Sequence, residues 1–239
     1  MQPKAAQTAS ALNARLRRHS ATDILRQGFD SIPKLALVSS FGAESVVLLH
    51  LASVINRDVP VLFIDTRMLF TETLVYQLEL AERLALRNVQ IIRPQDTAAH
   101  DPQGDLHRRD PDACCALRKT EPLDRALSGY DGWITGRKRF QSGIRAQLEV
   151  FEPETGTKRI KVNPLAHWTA GDVQDYMEEN RLPRHPLVAK GYPSIGCAPC
   201  TSPAGPNEDP RAGRWRGAQK DECGIHFDNG KVIRKGENA

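Results

Sequence analysis

Apolar residues are scattered through the first thirty positions, at Leu12, Leu16, Ile24 and Leu25, a spacing that predicts a polar helical entry segment. After Pro33 the pattern changes abruptly. Leu35 to Ser40 is a short apolar run that ends in two small hydroxyl residues, and Ala43 to Ile55 is apolar enough for a helix buried on most of its circumference. Strand, tight turn, helix is the implied unit. Val59 to Thr66 predicts a second buried strand. Thr71 to Arg87 predicts an amphipathic helix whose apolar stripe is Leu74, Leu78, Ala81 and Leu84.

Val89 to Pro94 predicts a third strand, and the polar stretch Gln95 to Asp112, with two Asp-Pro steps, a long loop. A helix is expected around Cys114 to Leu127, then a fourth strand at "GWITGRKRF" leading into a basic turn. "QLEVFE" and "KRIKVNPL", separated by "PETGT", alternate as a hairpin does. Thr169 followed by Asp172 signals a helix N-cap, with Trp168 placed to staple onto Val173 and the helix ending near Asn180. From Pro183 onward Pro and Gly are frequent. Strands alternating with helices give an α/β fold with a parallel-rich twisted sheet flanked by helices on both faces. We expect residues 1–30 as a polar helical segment, 31–205 as one α/β domain, and 206–239 as a mobile, flexible C-terminal tail.

Composition narrows the class without naming it. Hydrophobic residues make up 40% and charged residues 26% of the 239, which fits a globular protein and neither a disordered nor a membrane one. The longest apolar stretch, Val46 to Ile55, is interrupted by His50 and is too short to span a bilayer. Without an apolar leader in "MQPKAAQTASALNARLRRHS", a cytoplasmic protein is expected. The net charge of +4 does not mark a nucleic-acid binder. Local clusters are more telling: Arg137, Lys138 and Arg139 stand together, and Arg211, Arg214, Arg216 and Lys220 crowd the approach to Cys223. Both suit a small anionic ligand, or a solvated surface.

Chemistry concentrates in a few stretches. Ser39, Ser40 and Gly42 fall between a strand and a helix N-terminus, where backbone N–H groups and the helix dipole favour an anion. The lysine and second glycine of a Walker A loop are missing. Asp65 and Thr66, at the same carboxyl edge of the sheet, are placed to hydrogen-bond a nucleotide. Five cysteines divide into an adjacent pair, Cys114 and Cys115, a CxxC at Cys197 and Cys200, and a lone Cys223. In a reducing compartment the first four most simply converge on one metal centre. Zinc and a 4Fe-4S cluster both accept four thiolates; adjacent cysteines favour the cluster, which offers separate iron corners. Cys223 has the setting of a reactive thiol, with cations nearby and His226 three residues on as a donor to an anionic substrate or leaving group.

Taken together, "SSFGAES", "FIDT", "CCALRKTEPL", "ITGRKRFQS", "GCAPC", "EDPRAGRW" and "ECGIH", in that order, resemble the bacterial assimilatory adenylyl-sulfate reductases. These are the iron-sulfur branch of the phosphosulfate reductase family, and the resemblance runs from about residue 35 to 227. It implies an adenine-nucleotide α-hydrolase-like core with a modified PP-loop, lacking the SGG of ATP-cleaving relatives. It implies a 4Fe-4S cluster on Cys114, Cys115, Cys197 and Cys200. Cys223 would be the nucleophile that takes the sulfo group from adenosine 5′-phosphosulfate (APS), expelling AMP, after which thioredoxin or glutaredoxin releases sulfite. By charge, Lys119, Arg211 and Arg214 would grip the sulfate and phosphate. Ser39, Ser40, Ile64, Thr66, Gly136 and Arg145 would line the nucleotide site, although relatives often carry one more residue before this arginine.

Three other readings compete: a reductase of the 3′-phosphorylated nucleotide or of both, a zinc-stabilised PP-loop protein acting on tRNA, and an iron-sulfur redox sensor in which Cys223 meets oxidants. The four cluster cysteines favour the unphosphorylated substrate, and the absence of SGG and of a broad basic face weighs against tRNA. A homo-oligomer is left open.

Overall fold

The computed structural model describes residues 4–16, 18–141, 145–217 and 220. Strands β1 (Leu35–Ser39), β2 (Val61–Ile64), β3 (Val89–Ile92), β4 (Gly132–Ile134), β5 (Phe151–Pro153) and β6 (Ile160–Val162) form one sheet in the order β3-β2-β1-β4-β6-β5. All neighbours are parallel except β5, which runs antiparallel to β6 as the expected hairpin. The chain adds β2 and β3 on one side of β1 and then returns to place β4 on the other, so the strand order reverses at β1. In open α/β sheets a ligand crevice forms outside the carboxyl ends of the strands at such a reversal.

Helix α3 (Ser45–Ile55) links β1 to β2 and α4 (Thr71–Arg83) links β2 to β3. The two-residue period of the strands sorts their side chains onto two faces. Leu35, Leu37, Val61, Phe63 and Ile134 belong to the larger core, with the helices α1 (Lys4–Leu16), α2 (Ala21–Ser31), α3 and α9 (Ala170–Glu179). Ala36, Leu62, Ile64 and Trp133 pack on the other face against Leu123 and Leu127 of α8 (Glu121–Leu127). Phe41 meets Phe63 edge-on at 5.1 Å between ring centroids, a geometry worth about 1 kcal/mol beyond the area buried.

The entry segment is not an appendage. Ala5, Ala9, Leu12, Leu16, Ile24 and Leu25 are buried in the larger core, so residues 4–31 are part of the α/β domain rather than a segment apart. Asn13 completes the sheet: its Nδ2 donates to the carbonyl oxygen of Phe151 at 2.7 Å and its Oδ1 accepts the Phe151 amide at 2.9 Å. Strand β5 is the edge of the sheet, and this amide side chain occupies backbone groups that would otherwise template another strand.

Helix α4 departs from its expected stripe. Leu74 and Leu78 are exposed, and Thr73, Tyr76, Gln77 and Leu80 are buried in their place. Polar contacts set the rotation: Tyr76 donates to Pro183 O at 2.8 Å, and Thr73 Oγ1 meets His185 Nε2 at 3.1 Å. Helix α9 follows its signals, with Thr169 and Asp172 forming a reciprocal capping box and Asn180 at the C-cap. The stretch expected as a long loop contains the short helices α5 (Thr97–His100) and α6 (Leu106–Arg109).

Candidate functional site

A cavity of about 300 Å³ opens at the carboxyl ends of β1, β2 and β4, where the strand order reverses. Ser39, Ser40 and Gly42 line it from β1, Ile64 and Thr66 from β2, and Gly136 and Arg145 from the segment after β4. Lys119, Arg211, Arg214 and Cys197 line it as well. Asp65 does not. Its Oδ1 accepts the Arg67 amide at 2.9 Å and its Oδ2 accepts Arg93 Nε at 3.0 Å, which turns the carboxylate away from the cavity. The alternation along a strand explains this correction: Ile64 and Thr66 share one direction and Asp65 takes the other.

The turn after β1 differs from a bare anion cradle. Phe41 is held at φ 48°, a left-handed conformation that costs about 1–2 kcal/mol for an L residue, and its amide donates to Ser39 Oγ at 3.1 Å. The Gly42 amide donates to Ser45 Oγ at 2.9 Å. Two of the amides expected to face an anion are thus used within the turn, leaving hydroxyl groups and more distant cations to supply donors.

The cysteine wall is built by three segments. Helix α7 (Pro111–Cys115), a π segment (Ala116–Thr120) and α8 run on without a break. Asp110 caps them, accepting the amides of Asp112 and Ala113, with Pro111 as first residue. Cys114 and Arg118, and Cys115 and Lys119, are pairs four apart, so all four side chains share one face, and all four are buried. The π turn, closed by the Glu121 amide on Ala116 O, widens the helix under Arg118 and Lys119.

The CxxC loop is tied to the end of β2. Ala198 donates to Met68 O at 2.7 Å, Cys200 to Cys197 O at 3.0 Å, and Thr201 Oγ1 to Cys197 O at 2.9 Å. Thr66 Oγ1 accepts the Met68 amide at 3.2 Å and lies within hydrogen-bond distance of Cys197 Sγ, at 3.2 Å. Arg118 Nη1 donates to Thr66 O at 3.1 Å, and its Nη2 pairs at 2.7 Å with Asp101, whose side chain is fully buried.

The third segment was expected as tail. Residues 206–217 instead carry Asp209, Pro210, Arg211, Arg214 and Trp215 into the cavity wall. Trp215 donates its amide to Cys200 O at 3.0 Å, and Arg214 stacks on the Trp215 ring, 4.5 Å from its centre. Arg214 Nη1 donates to Ile195 O at 3.3 Å. Lys138, buried, pairs with Glu44 at 2.7 Å across the cavity's other part, where Gln141 accepts from Arg145. Sequence reasoning missed Arg118, Trp215 and the Glu44–Lys138 pair. Only Arg118 carried a local signal, its place four residues after Cys114.

The candidate nucleophile Cys223 and its companion His226 lie outside the described residues. Cys114, Cys115 and Cys197 are buried and Cys200 is half-buried, none in a disulfide. Burial, then the neighbouring cysteines, push the Cys114 thiol up to about 11 against the pull of Arg118. Burial and Cys197 raise Cys200, against Lys119 and Arg214. The four sulfurs therefore lie within electrostatic reach of one another. Among the described residues no three His, Cys, Asp or Glu side chains form a ready ligand set for one metal ion. Arg118 Nε and Trp215 Nε1 are nevertheless buried donors with no protein acceptor, the first on the segment that carries Cys114 and Cys115, the second on the segment whose Trp215 amide bonds Cys200 O. Four thiols with orphaned donors beside them fit a multi-sulfur group, whose sulfurs accept such hydrogen bonds.

Comparison with known proteins agrees with this architecture. Residues 34–203 match the phosphoadenosine phosphosulfate reductase domain. An adenosine 5′-phosphosulfate reductase of Mesorhizobium japonicum is 52% identical over 196 residues, covering 81% of this chain and 76% of its own. A phosphoadenosine 5′-phosphosulfate reductase of Gloeobacter violaceus is 42% identical over 200 residues, covering 81% and 82%. The crystal structure of the phosphoadenylyl-sulfate reductase of Candida auris, a phosphate complex, superposes with a TM-score of 0.72 at 29% identity, covering 82% of this chain and 97% of that one. With a domain match over most of its length and an adenosine 5′-phosphosulfate reductase half identical to it, the chain belongs to the phosphosulfate reductase family.

Proposed function

We propose that this protein reduces APS to sulfite and AMP in sulfate assimilation, through a sulfo group held on Cys223. The observation that carries the reading is the cavity at the strand-order reversal, lined on one wall by Lys119, Arg211 and Arg214 and by the turn Ser39–Gly42 on another. These cations would stabilise the charge that phosphate and sulfate oxygens gain as the S–O bond breaks. Ile64, Thr66, Gly136 and Arg145 take the nucleoside.

The thiolate of Cys223 attacks the sulfur of the sulfo group. The S–O bond to the phosphate breaks, its electron pair leaves on AMP, and the enzyme keeps a Cys–S–SO3 group. A thiolate of thioredoxin, or of glutaredoxin, then attacks the Cys223 sulfur, sulfite leaves, and the resulting mixed disulfide is resolved by the reductant's second thiol. His226 donates to the departing or bound anion. The four other cysteines are unsuited to this attack, because Cys114, Cys115 and Cys197 are buried, Cys200 is half-buried, and all four are ligands in this reading.

Cys114, Cys115, Cys197 and Cys200 hold a 4Fe-4S cluster in this reading. A cluster bound there would cross-link the two cysteine segments and would polarise the surroundings of the sulfate. Thr66, Arg118 and Trp215 orient the sulfurs. Among the described residues no helix is long and apolar enough to cross a membrane, which suits the cytoplasmic setting proposed here.

Incubation with sulfur-labelled APS and no reductant tests the reading. Label is expected on the peptide of Cys223 with stoichiometric AMP, and none on Cys223→Ser. An adduct on the serine variant would overturn the mechanism. Because the relative from Gloeobacter violaceus is named for the 3′-phosphorylated nucleotide, that compound is the competing substrate. Preference for it in a competition assay would replace APS in the proposal.

A further inference from the structure

Glu44 and Lys138 line the cavity but take no part in sulfo transfer. They are unequal partners. Lys138 is buried, with 3% of its side chain exposed, whereas Glu44 keeps 35%. The ammonium donates to Glu44 Oε2 at 2.7 Å and to Gly136 O at 3.3 Å, so two of its three donors are used inside the protein. Gln141 meets the same carboxylate oxygen, with Nε2 donating to Glu44 Oε2 at 3.4 Å and Oε1 accepting from Arg145 Nη1. Glu44 Oε1 accepts no hydrogen bond from the described residues. Glu44 also stands directly before α3, and the amides of Phe41 and Gly42 in the turn ahead of it are already given to Ser39 and Ser45. A ligand reaching this part of the cavity thus meets a carboxylate oxygen, with Lys138 already committed to that same carboxylate.

We propose that Glu44 determines specificity at the ribose: its carboxylate, held by Lys138, accepts a hydrogen bond from a ribose hydroxyl of APS and repels the 3′-phosphate of the phosphorylated nucleotide. The inference rests on the reading of this cavity as the APS site. A hydroxyl has a proton to donate to Glu44 Oε1. A 3′-phosphate carries about −1.5 to −2 of charge at pH 7 and brings like charge against like, which is costly in a partly closed cavity. Lys138 acts through Glu44 rather than on substrate. Its ammonium lowers the cost of keeping a carboxylate here, and burial keeps that ammonium from reaching a second anion. Discrimination then comes from a built-in repulsion rather than from a tighter grip on APS.

The ratio of kcat/KM for APS to that for its 3′-phosphorylated form tests this, and a ratio within one protein does not depend on how much of a variant folds. The parent should favour APS. Glu44→Gln keeps the shape and removes the charge, and its ratio should fall about ten- to a hundredfold. Glu44→Asp keeps the charge and should still favour APS. Because Glu44→Gln leaves Lys138 buried without a counter-charge, Glu44→Gln with Lys138→Met is the second variant, and its ratio should fall as well. Calorimetry with AMP and with adenosine 3′,5′-bisphosphate makes the same comparison without turnover: the parent should bind AMP more tightly, and the gap should narrow in both glutamine variants. An unchanged ratio in those variants would overturn the proposal. So would a parent that binds the bisphosphate as tightly as AMP, or a Glu44→Asp protein as permissive as Glu44→Gln, which marks shape rather than charge. A parent that prefers the 3′-phosphorylated nucleotide overturns this inference and leaves the reductase reading standing. A parent that discriminates in binding but reduces neither sulfonucleotide refutes the reductase reading and not the role of Glu44.

Discussion

Arg214 lies flat against the chain at Gly196: a Cβ at that position would fall 2.6 Å from the Arg214 Cζ. Gly196 immediately precedes Cys197, so the missing side chain is what lets a cavity-lining guanidinium pack beside the CxxC loop. The obstructed atom is the end of a flexible side chain, which can move aside cheaply. Gly196→Ala should therefore change stability by less than about 1 kcal/mol while lowering kcat/KM for APS about ten- to a hundredfold, because a displacement near 1 Å is enough. Urea titration and steady-state kinetics check both halves. Unchanged kcat/KM would remove Arg214 from the anion grip.

The Asp101–Arg118 pair is the most deeply buried salt bridge among the described residues, with side-chain exposures of 0% and 7%. Burial alone would raise the Asp101 carboxyl, but the hydrogen bonds from Arg118 and the Leu106 amide hold it below its ordinary value. Asp101→Asn keeps the shape and leaves Arg118 buried without a counter-charge, which should cost about 3–5 kcal/mol in a urea titration. Removing both charges, with Asp101→Asn and Arg118→Met, should cost less than the single change. An additive or larger loss would mean that Arg118 matters for its bonds to the cysteine wall rather than for its charge.

Strand and helix patterns around β1, β2 and α3 follow local periodicity, since both sheet faces are covered and long apolar runs have nowhere else to go. The capping box of α9 is local chemistry and was equally legible. Helix α4 was misread because Tyr76 and Thr73 find partners more than a hundred residues away, at Pro183 and His185, and these outweigh the exposure of Leu74 and Leu78. Asp65 was assigned to the nucleotide on its position at the strand end, and the turn at Arg67 and the charge of Arg93 claim it instead. Of the site, the residue types and their clustering were visible, and Arg118 carried a local signal four residues after Cys114, whereas Trp215 and the Glu44–Lys138 pair emerge only when distant segments meet. Cys223 and His226 rest on sequence reading alone.

His185 gives the fold a pH dependence of predictable sign. It is buried, its Nδ1 accepts the Leu187 amide at 3.2 Å, and Nε2 therefore carries the proton shared with Thr73. Burial lowers it to about 4, so below its unfolded value near 6.5 the unfolded chain takes up a proton that the folded protein refuses. This residue's contribution is complete above pH 6.5 and is lost as pH falls toward 4, at up to about 1.4 kcal/mol per pH unit. His185→Asn retains a cap acceptor for Leu187 and cannot titrate. Stability against urea from pH 7 to 4.5 should fall less steeply in the variant, and parallel curves would locate the acid sensitivity elsewhere.

Lys119 and Cys197 both line the cavity, yet the proposed chemistry gives them separable roles. Cys197 Sγ lies 3.2 Å from the Thr66 hydroxyl and is a proposed cluster ligand, so Cys197→Ser should lose iron and sulfide in anaerobically purified protein. Lys119 stands on the π segment as a buried cation within electrostatic range of Cys200, and its ammonium is assigned to the substrate. Lys119→Gln should keep its iron and lose about ten- to a hundredfold in kcat/KM for APS, the worth of one charge-assisted hydrogen bond. Full iron in Cys197→Ser would end the four-cysteine site, and stoichiometric zinc in active parent protein would end the cluster altogether. If Lys119→Gln loses iron in step with activity, the lysine supports the cysteine wall, and the sulfate must be gripped by Arg211 and Arg214 alone.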